Sequence, residues 1–227
     1  MKIVQIYITI LMALTMLNCS QKQLTAEIYE TSAGGNKLKQ IKAFVSGNNP
    51  AMIKLMPEET FQTITGFGGS FTEASASLLN KLSKENREKI LEAYFGEEGA
   101  KYSLTRTHMN SCDFSLSNYS YAPVEGDIEL TNFSIEEDRD DIIPMIKDAL
   151  AISKDGFKIL SSPWTAPPWM KDNKDWRGGK LLPEYNDVWA LFFSKYIKAY
   201  KAEGIDIWGF TVENEPLGNN NNWESMH

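Results

Sequence analysis

The chain has 227 residues, a formal net charge of −7 and a hydrophobic share of 42%. That apolar content excludes a disordered polymer and is enough to bury a sizeable core. The acidic balance opposes attraction to a phosphate backbone, so nucleic acid is not an expected partner. The two histidines, His108 and His227, and the two cysteines form no ligand-spaced cluster, so no metal is expected.

The N-terminus reads as a secretory signal peptide over residues 1–19. Met1-Lys2 is a short positive region, followed by an apolar run from Ile3 to Leu17 that is short for a spanning helix. Cys19 follows directly, as in a bacterial lipobox, although Asn18 departs from the small residue usual there. On that reading Cys19 is lipidated, and the protein is a secreted outer-membrane or cell-surface lipoprotein whose membrane contact is the anchor alone. The plainer reading is an ordinary cleaved signal. Residues 20–38, with Gly34 and Gly35, read as a tether. Within residues 39–60 two apolar runs, Ile41 to Val45 and Met52 to Met56, flank Ser46-Gly47-Asn48-Asn49-Pro50, which predicts a hairpin or two neighbouring strands.

From residue 61 to 227 the pattern alternates. Short strands are predicted at Phe61 to Phe67, Tyr102 to Met109, Phe157 to Leu160 and Ile207 to Val212. Helices are predicted at Glu73 to Leu82, at Lys84 to Phe95 behind a Ser83 cap, at Glu136 to Lys154 with Pro144 inside, and at Glu184 to Glu203. Strand and helix in alternation mean parallel β/α units and an α/β fold. Four such units are the front half of a (β/α)₈ TIM barrel, so the sequence reads as truncated after its fourth unit. Half a barrel leaves open sheet edges, and the chain alone is expected to be inactive.

The residues suited to chemistry follow the predicted strands, on the face where barrel active sites form. Gly-Phe-Gly-Gly-Ser-Phe-Thr-Glu follows the first strand. It matches neither phosphate-loop pattern, so no cofactor is expected. Arg106 lies on the second strand, and its charge calls for a carboxylate partner. Asp113 comes after it, placed either to bind sugar hydroxyls or simply to hold a turn. Trp164 and Trp169 sit in a loop stiffened by Pro163, Pro167 and Pro168. One is expected to be a flat wall for a sugar ring and the other core, and Trp164, nearer its strand, is the better wall. Pro216 must end the fourth strand, which leaves Glu215 at the rim as a proton donor for glycoside cleavage, beside Asn214. Glu213 leaves the strand on the same side and is the competing carboxyl.

Four stretches together resemble glycoside hydrolase family 30, the group that includes lysosomal acid β-glucosidase. They are Gly-Phe-Gly-Gly-Ser-Phe-Thr-Glu-Ala-Ser-Ala at 66–76 and Asn-Ser-Cys-Asp-Phe-Ser at 110–115. The others are Ser-Pro-Trp-Thr-Ala-Pro-Pro-Trp-Met-Lys at 162–171 and Thr-Val-Glu-Asn-Glu-Pro at 211–216. The resemblance implies a TIM barrel joined to a side β-sandwich that takes in the strands of residues 39–60. It implies that Asp113 and Trp164 bind the glycone, that Asn214 binds near the 2-hydroxyl and that Arg106 supports the carboxylates. It further implies retention by double displacement with Glu215 as acid/base, and a nucleophilic Glu on a later strand, beyond His227. A β-linked glucoside or glucan is the implied substrate, with glucosylceramide, β-1,6-glucan and xylosides within the family's range. A non-catalytic carbohydrate-binding surface lipoprotein is the rival of another class.

Overall fold

A computed structural model describes residues 26–42, 52–218 and 222–227. The stretch read as a signal peptide, Cys19 and the expected turn at residues 46–50 lie outside the described residues. The chain divides into two units at residue 61. In the first, β1 (Ile28–Glu30) pairs antiparallel with β2 (Lys39–Ile41), in the register Tyr29 to Gln40. This hairpin lies earlier than the one expected. The stretch read as a tether contains its first strand, and Gly34-Gly35 belongs to its turn. Ser32 N–H donates to Asn36 O at 3.0 Å, and Gly35 takes φ +103°, open to a residue without Cβ. Residues 52–56, predicted as the second strand of the pair, carry no strand.

The second unit is an α/β layer. β3 (Leu104–Met109), β4 (Lys158–Pro163) and β5 (Gly209–Phe210) form a parallel sheet in chain order. Arg106 faces Leu160 in the first pair, and Ser161 faces Phe210 in the second. Residues 67–71 run along the other edge of β3. Ser103 N–H reaches Phe67 O at 2.9 Å, Arg106 N–H reaches Gly69 O at 3.1 Å, and Phe71 N–H reaches Arg106 O at 2.8 Å. The first predicted strand is thus displaced toward its glycines and bridges β3 in parallel only at Ser70. The glycine run serves this approach: a Cβ on Gly68 would lie 1.8 Å from Leu104 O.

Helices cover one side of the sheet. α1 (Glu73–Asn80) starts at Thr72, whose hydroxyl accepts from Ser75 N–H, and buries Ala76 and Leu79. α2 (Lys84–Phe95) starts at Ser83 in the same way and buries Leu91 and Phe95. α3 (Ile142–Ile152) is shorter than expected, with residues 136–138 forming a separate 3₁₀ turn. Pro144 falls in its first turn, where no N–H is needed. α4 (Asn186–Ala202) buries Val188, Trp189, Phe192, Phe193, Tyr196 and Tyr200 at helical spacing. These side chains join Phe71, Ile142, Ile146 and Ile159 in one core. No helix among the described residues is long and apolar enough to cross a membrane.

Candidate active site

Side chains alternate across the sheet, so each strand aims one set at the helices and the other at the opposite face. Ser161 shows the helix side: its hydroxyl bonds Tyr196 Oη at 3.0 Å. Its neighbours in sequence face the other way and meet there. Arg106 of β3 donates from Nε to Ser162 Oγ at 3.0 Å and from Nη2 to Asn214 Oδ1 at 2.6 Å. Thr211 donates to Ser162 Oγ at 2.8 Å, and Asn214 N–H donates to Pro163 O at 2.8 Å. The Arg106 guanidinium lies 4.7 Å from the centre of the Trp164 ring. Arg106, Trp164 and Asn214, from three consecutive β/α units, therefore form one cluster. Among the described residues Arg106 makes no ion pair, contrary to expectation. Its planar fork is taken up by a hydroxyl, an amide oxygen and an aromatic face. Burial holds its pKa below the usual value, opposed by nearby negative charge that includes Glu215 and Asp113; it remains a cation.

Both tryptophans are buried, Trp164 at 9% exposure and Trp169 at 7%, and Trp169 joins the apolar core. Its indole N–H donates to Ala122 O at 2.8 Å, and its ring meets Tyr185 edge-on. His108 is structural too. Its Nδ1–H donates to Asn110 O at 2.7 Å, and Nε2 accepts from Glu73 N–H at 3.3 Å. The carbonyl partner fixes the tautomer, and burial holds its pKa down, so the ring is neutral. Asn110 takes φ +61° and ties Tyr121 N–H to Oδ1 and Thr165 O to Nδ2, fixing the loop that follows β3.

The two competing carboxyls separate sharply. Glu215 is exposed and takes φ +48°, a left-handed conformation that a residue before proline avoids. Its carbonyl accepts Gly218 N–H at 2.9 Å, closing a turn with Pro216 at its second position. A Cβ on Gly218 would lie 3.2 Å from Glu215 Cβ, so a side chain there would crowd it. Glu213 is enclosed instead. Neither of its carboxyl oxygens has a hydrogen-bond partner among the described residues, and burial raises its pKa to about 9, against the pull of the Lys171 charge. Glu213 is thus a neutral acid at pH 7 that solvent cannot reach, whereas Glu215 is reachable.

Lys171 went unremarked in the sequence beyond its place in a motif. It is fully buried and donates to Gly178 O at 2.8 Å and Ser225 O at 3.1 Å; burial lowers its pKa to about 8. A lysine after Trp-Met offered no hint of this, because its partners are a carbonyl seven residues on and another 54 residues away. Asp113 is the second residue of a turn closed by Ser115 N–H and Cys112 O at 2.9 Å. Its side chain is exposed and lines a cleft of about 710 Å³ with Trp176, Trp223 and Glu224. Asp113 therefore adjoins the Arg106 cluster without bonding it. Cys112 beside it is buried, and its thiol is pushed up to about 12, which leaves it inert. No group of three His, Cys, Asp or Glu side chains suited to a metal occurs among the described residues.

Comparison with known proteins identifies the family. Residues 64–226 match the glycosyl hydrolase family 30 TIM-barrel domain. The chain is 36% identical over 197 residues to lysosomal acid glucosylceramidase of Mus musculus, covering 83% of this chain and 38% of that protein. It is 31% identical over 217 residues to an endo-1,6-beta-D-glucanase of Neurospora crassa, covering 88% and 45%. Among solved structures, the endo-beta1,6-glucanase BT3312 superposes with a TM-score of 0.72 at 35% identity, over 88% of this chain and 44% of that one. The chain thus spans about two fifths of the length of the curated relatives it matches. With the family model covering most of its length, the chain belongs to glycosyl hydrolase family 30.

Proposed function

We propose that the protein carrying this chain is a retaining β-glycosidase acting on β-glucosidic bonds, with Glu215 as its general acid/base. The observation that carries this reading is the convergence of Arg106, from within its strand, with Trp164 and Asn214, from the segments that follow the next two strands, near Glu215. Arg106 orients the Asn214 amide, whose NH₂ remains to bond a sugar hydroxyl near the anomeric carbon. Trp164 offers its indole to the C–H face of the ring. Glu215 donates its proton to the glycosidic oxygen as a second carboxylate, from a later strand, attacks the anomeric carbon. The glycosyl–enzyme ester then yields to a water that Glu215 deprotonates, with the carboxyls ~5 Å apart. Glucosylceramide and β-1,6-glucan are the two substrate readings, because relatives named for each share this segment.

The test is Glu215→Gln in the full-length protein. Hydrolysis of glucosides with poor leaving groups should fall by about 10³-fold, while activated aryl glucosides lose much less in the step that forms the ester. Equal loss on both would remove Glu215 from the acid role. Loss of neither would favour the carbohydrate-binding reading for this segment.

A further inference from the structure

The cleft beside Asp113 borders the Arg106 cluster, with Asp113 between them, but is built from other residues. Arg106, Trp164 and Asn214 do not line it; Asp113, Trp176, Arg177, Asn222, Trp223 and Glu224 do. Its volume of about 710 Å³ lies within the range of sites that hold small organic ligands.

Two separate segments build its aromatic side and are bonded to each other. Ser225 N–H donates to Trp176 O at 3.1 Å, Gly178 N–H to Ser225 Oγ at 2.8 Å, and His227 N–H to Gly179 O at 2.9 Å. The buried Lys171 ammonium bonds a carbonyl from each segment. Asn118 Nδ2 donates to Glu224 Oε1 at 2.6 Å and ties in the loop after β3. Trp176 and Trp223 thus ride on a braced frame, each half-exposed to the cleft. A tryptophan on a braced backbone needs less ordering on binding than one on a free loop.

The chemistry of the lining selects the ligand. Flat indoles suit the C–H face of a pyranose, and carboxylates, amides and a guanidinium suit its hydroxyls. A ceramide tail would need an apolar wall, and apart from the two indoles the cleft has none. We infer that a second pyranose unit of a β-linked glucan binds in this cleft, against Trp176 and Trp223, next to the unit held at the Arg106 cluster. The inference rests on the glycosidase reading above and resolves its substrate toward a chain of sugars.

The experiment compares a β-1,6-linked glucotriose with an aryl β-glucoside in the full-length protein and in Trp176→Ala and Trp223→Ala variants. Each variant should lose about tenfold in kcat/KM on the triose, with the aryl glucoside within about twofold of wild type. Trp176→Tyr, which keeps a flat ring, should regain most of the loss. Equal loss on both substrates, or no loss on the triose, overturns the subsite. Should Trp176→Ala lower the unfolding temperature, the exposed Asn222→Ala decides: a triose-selective loss supports the subsite, and its absence overturns it. A wild-type protein that cleaves neither substrate overturns the glycosidase reading and the subsite with it.

Discussion

The two faces of β4 carry buried polar networks of similar size and opposite character. On the helix side, Asp138 accepts hydrogen bonds from Tyr121 Oη at 2.6 Å, Tyr200 Oη at 2.5 Å and Tyr119 Oη at 3.1 Å. Burial raises its carboxyl to about 6 against the pull of these donors, so it is ionised at neutral pH. Ser161 and Tyr196 extend the same network, while outside it Trp189 Nε1 and Thr107 Oγ1 are buried without a partner among the described residues. On the other face, Arg106, Ser162 and Asn214 are bonded, yet Glu213 is buried without a partner and Glu215 is held left-handed in solvent. A satisfied network fixes structure, whereas unsatisfied and strained groups mark where a protein does chemistry. The helix-side network should therefore govern stability and the opposite one activity.

The strongest way to break that division is Asp138→Ala. It leaves three buried hydroxyls without their acceptor and should cost on the order of 4 kcal/mol, read from urea unfolding. A cost below about 1 kcal/mol would mean the tyrosines find other partners, and the contrast would fail. Arg106→Ala should do the reverse. It frees the Asn214 amide and uncovers Trp164, so kcat/KM should fall about 10²-fold while unfolding changes by only about 1 kcal/mol. Arg106→Lys should not restore activity, because an ammonium lacks the fork that reaches Ser162 and Asn214 together.

How far these features were legible in the sequence depends on the range of the cause. α2 was readable end to end because Ser83, the apolar spacing and Gly96 all lie within its own residues. The order of parallel units followed from alternation alone. Gly34-Gly35 was not decidable, since the same residues suit a tether and the turn between β1 and β2. The first strand was displaced because Gly68 lets residues 67–71 reach β3, and no local propensity announces a contact with Leu104 O. Arg106, Trp164 and Asn214 could be named from strand ends, but the hydrogen bond between Arg106 and Asn214 depends on register. Glu213 was visible as a neighbour of Glu215 and invisible as a buried acid, because burial and the charge of Lys171, 42 residues earlier, act through the fold.

Glu213→Gln gives the finest test of the contrast. The folded-state pKa of Glu213, about 9, lies above its ordinary 4.5. The native state thus holds a proton that the unfolded chain releases. Such a group stabilises the fold fully below pH 4.5, and that contribution drains away as pH rises toward 9. His108 works in the opposite direction, but only below its ordinary value of 6.5; Lys171 does so only above about 8. Between pH 6.5 and 8 the wild type should therefore lose stability relative to Glu213→Gln, by up to about 1.4 kcal/mol per pH unit. Subtracting the two unfolding curves cancels the groups that Glu213 does not influence; Lys171, which it does, titrates above this window. The variant should also keep the leaving-group pattern of the wild type, since Glu213 is closed off from substrate. A flat difference curve would show that Glu213 is solvated and ionised in the native protein. A selective loss on poor leaving groups would move the proton donor from Glu215 to Glu213.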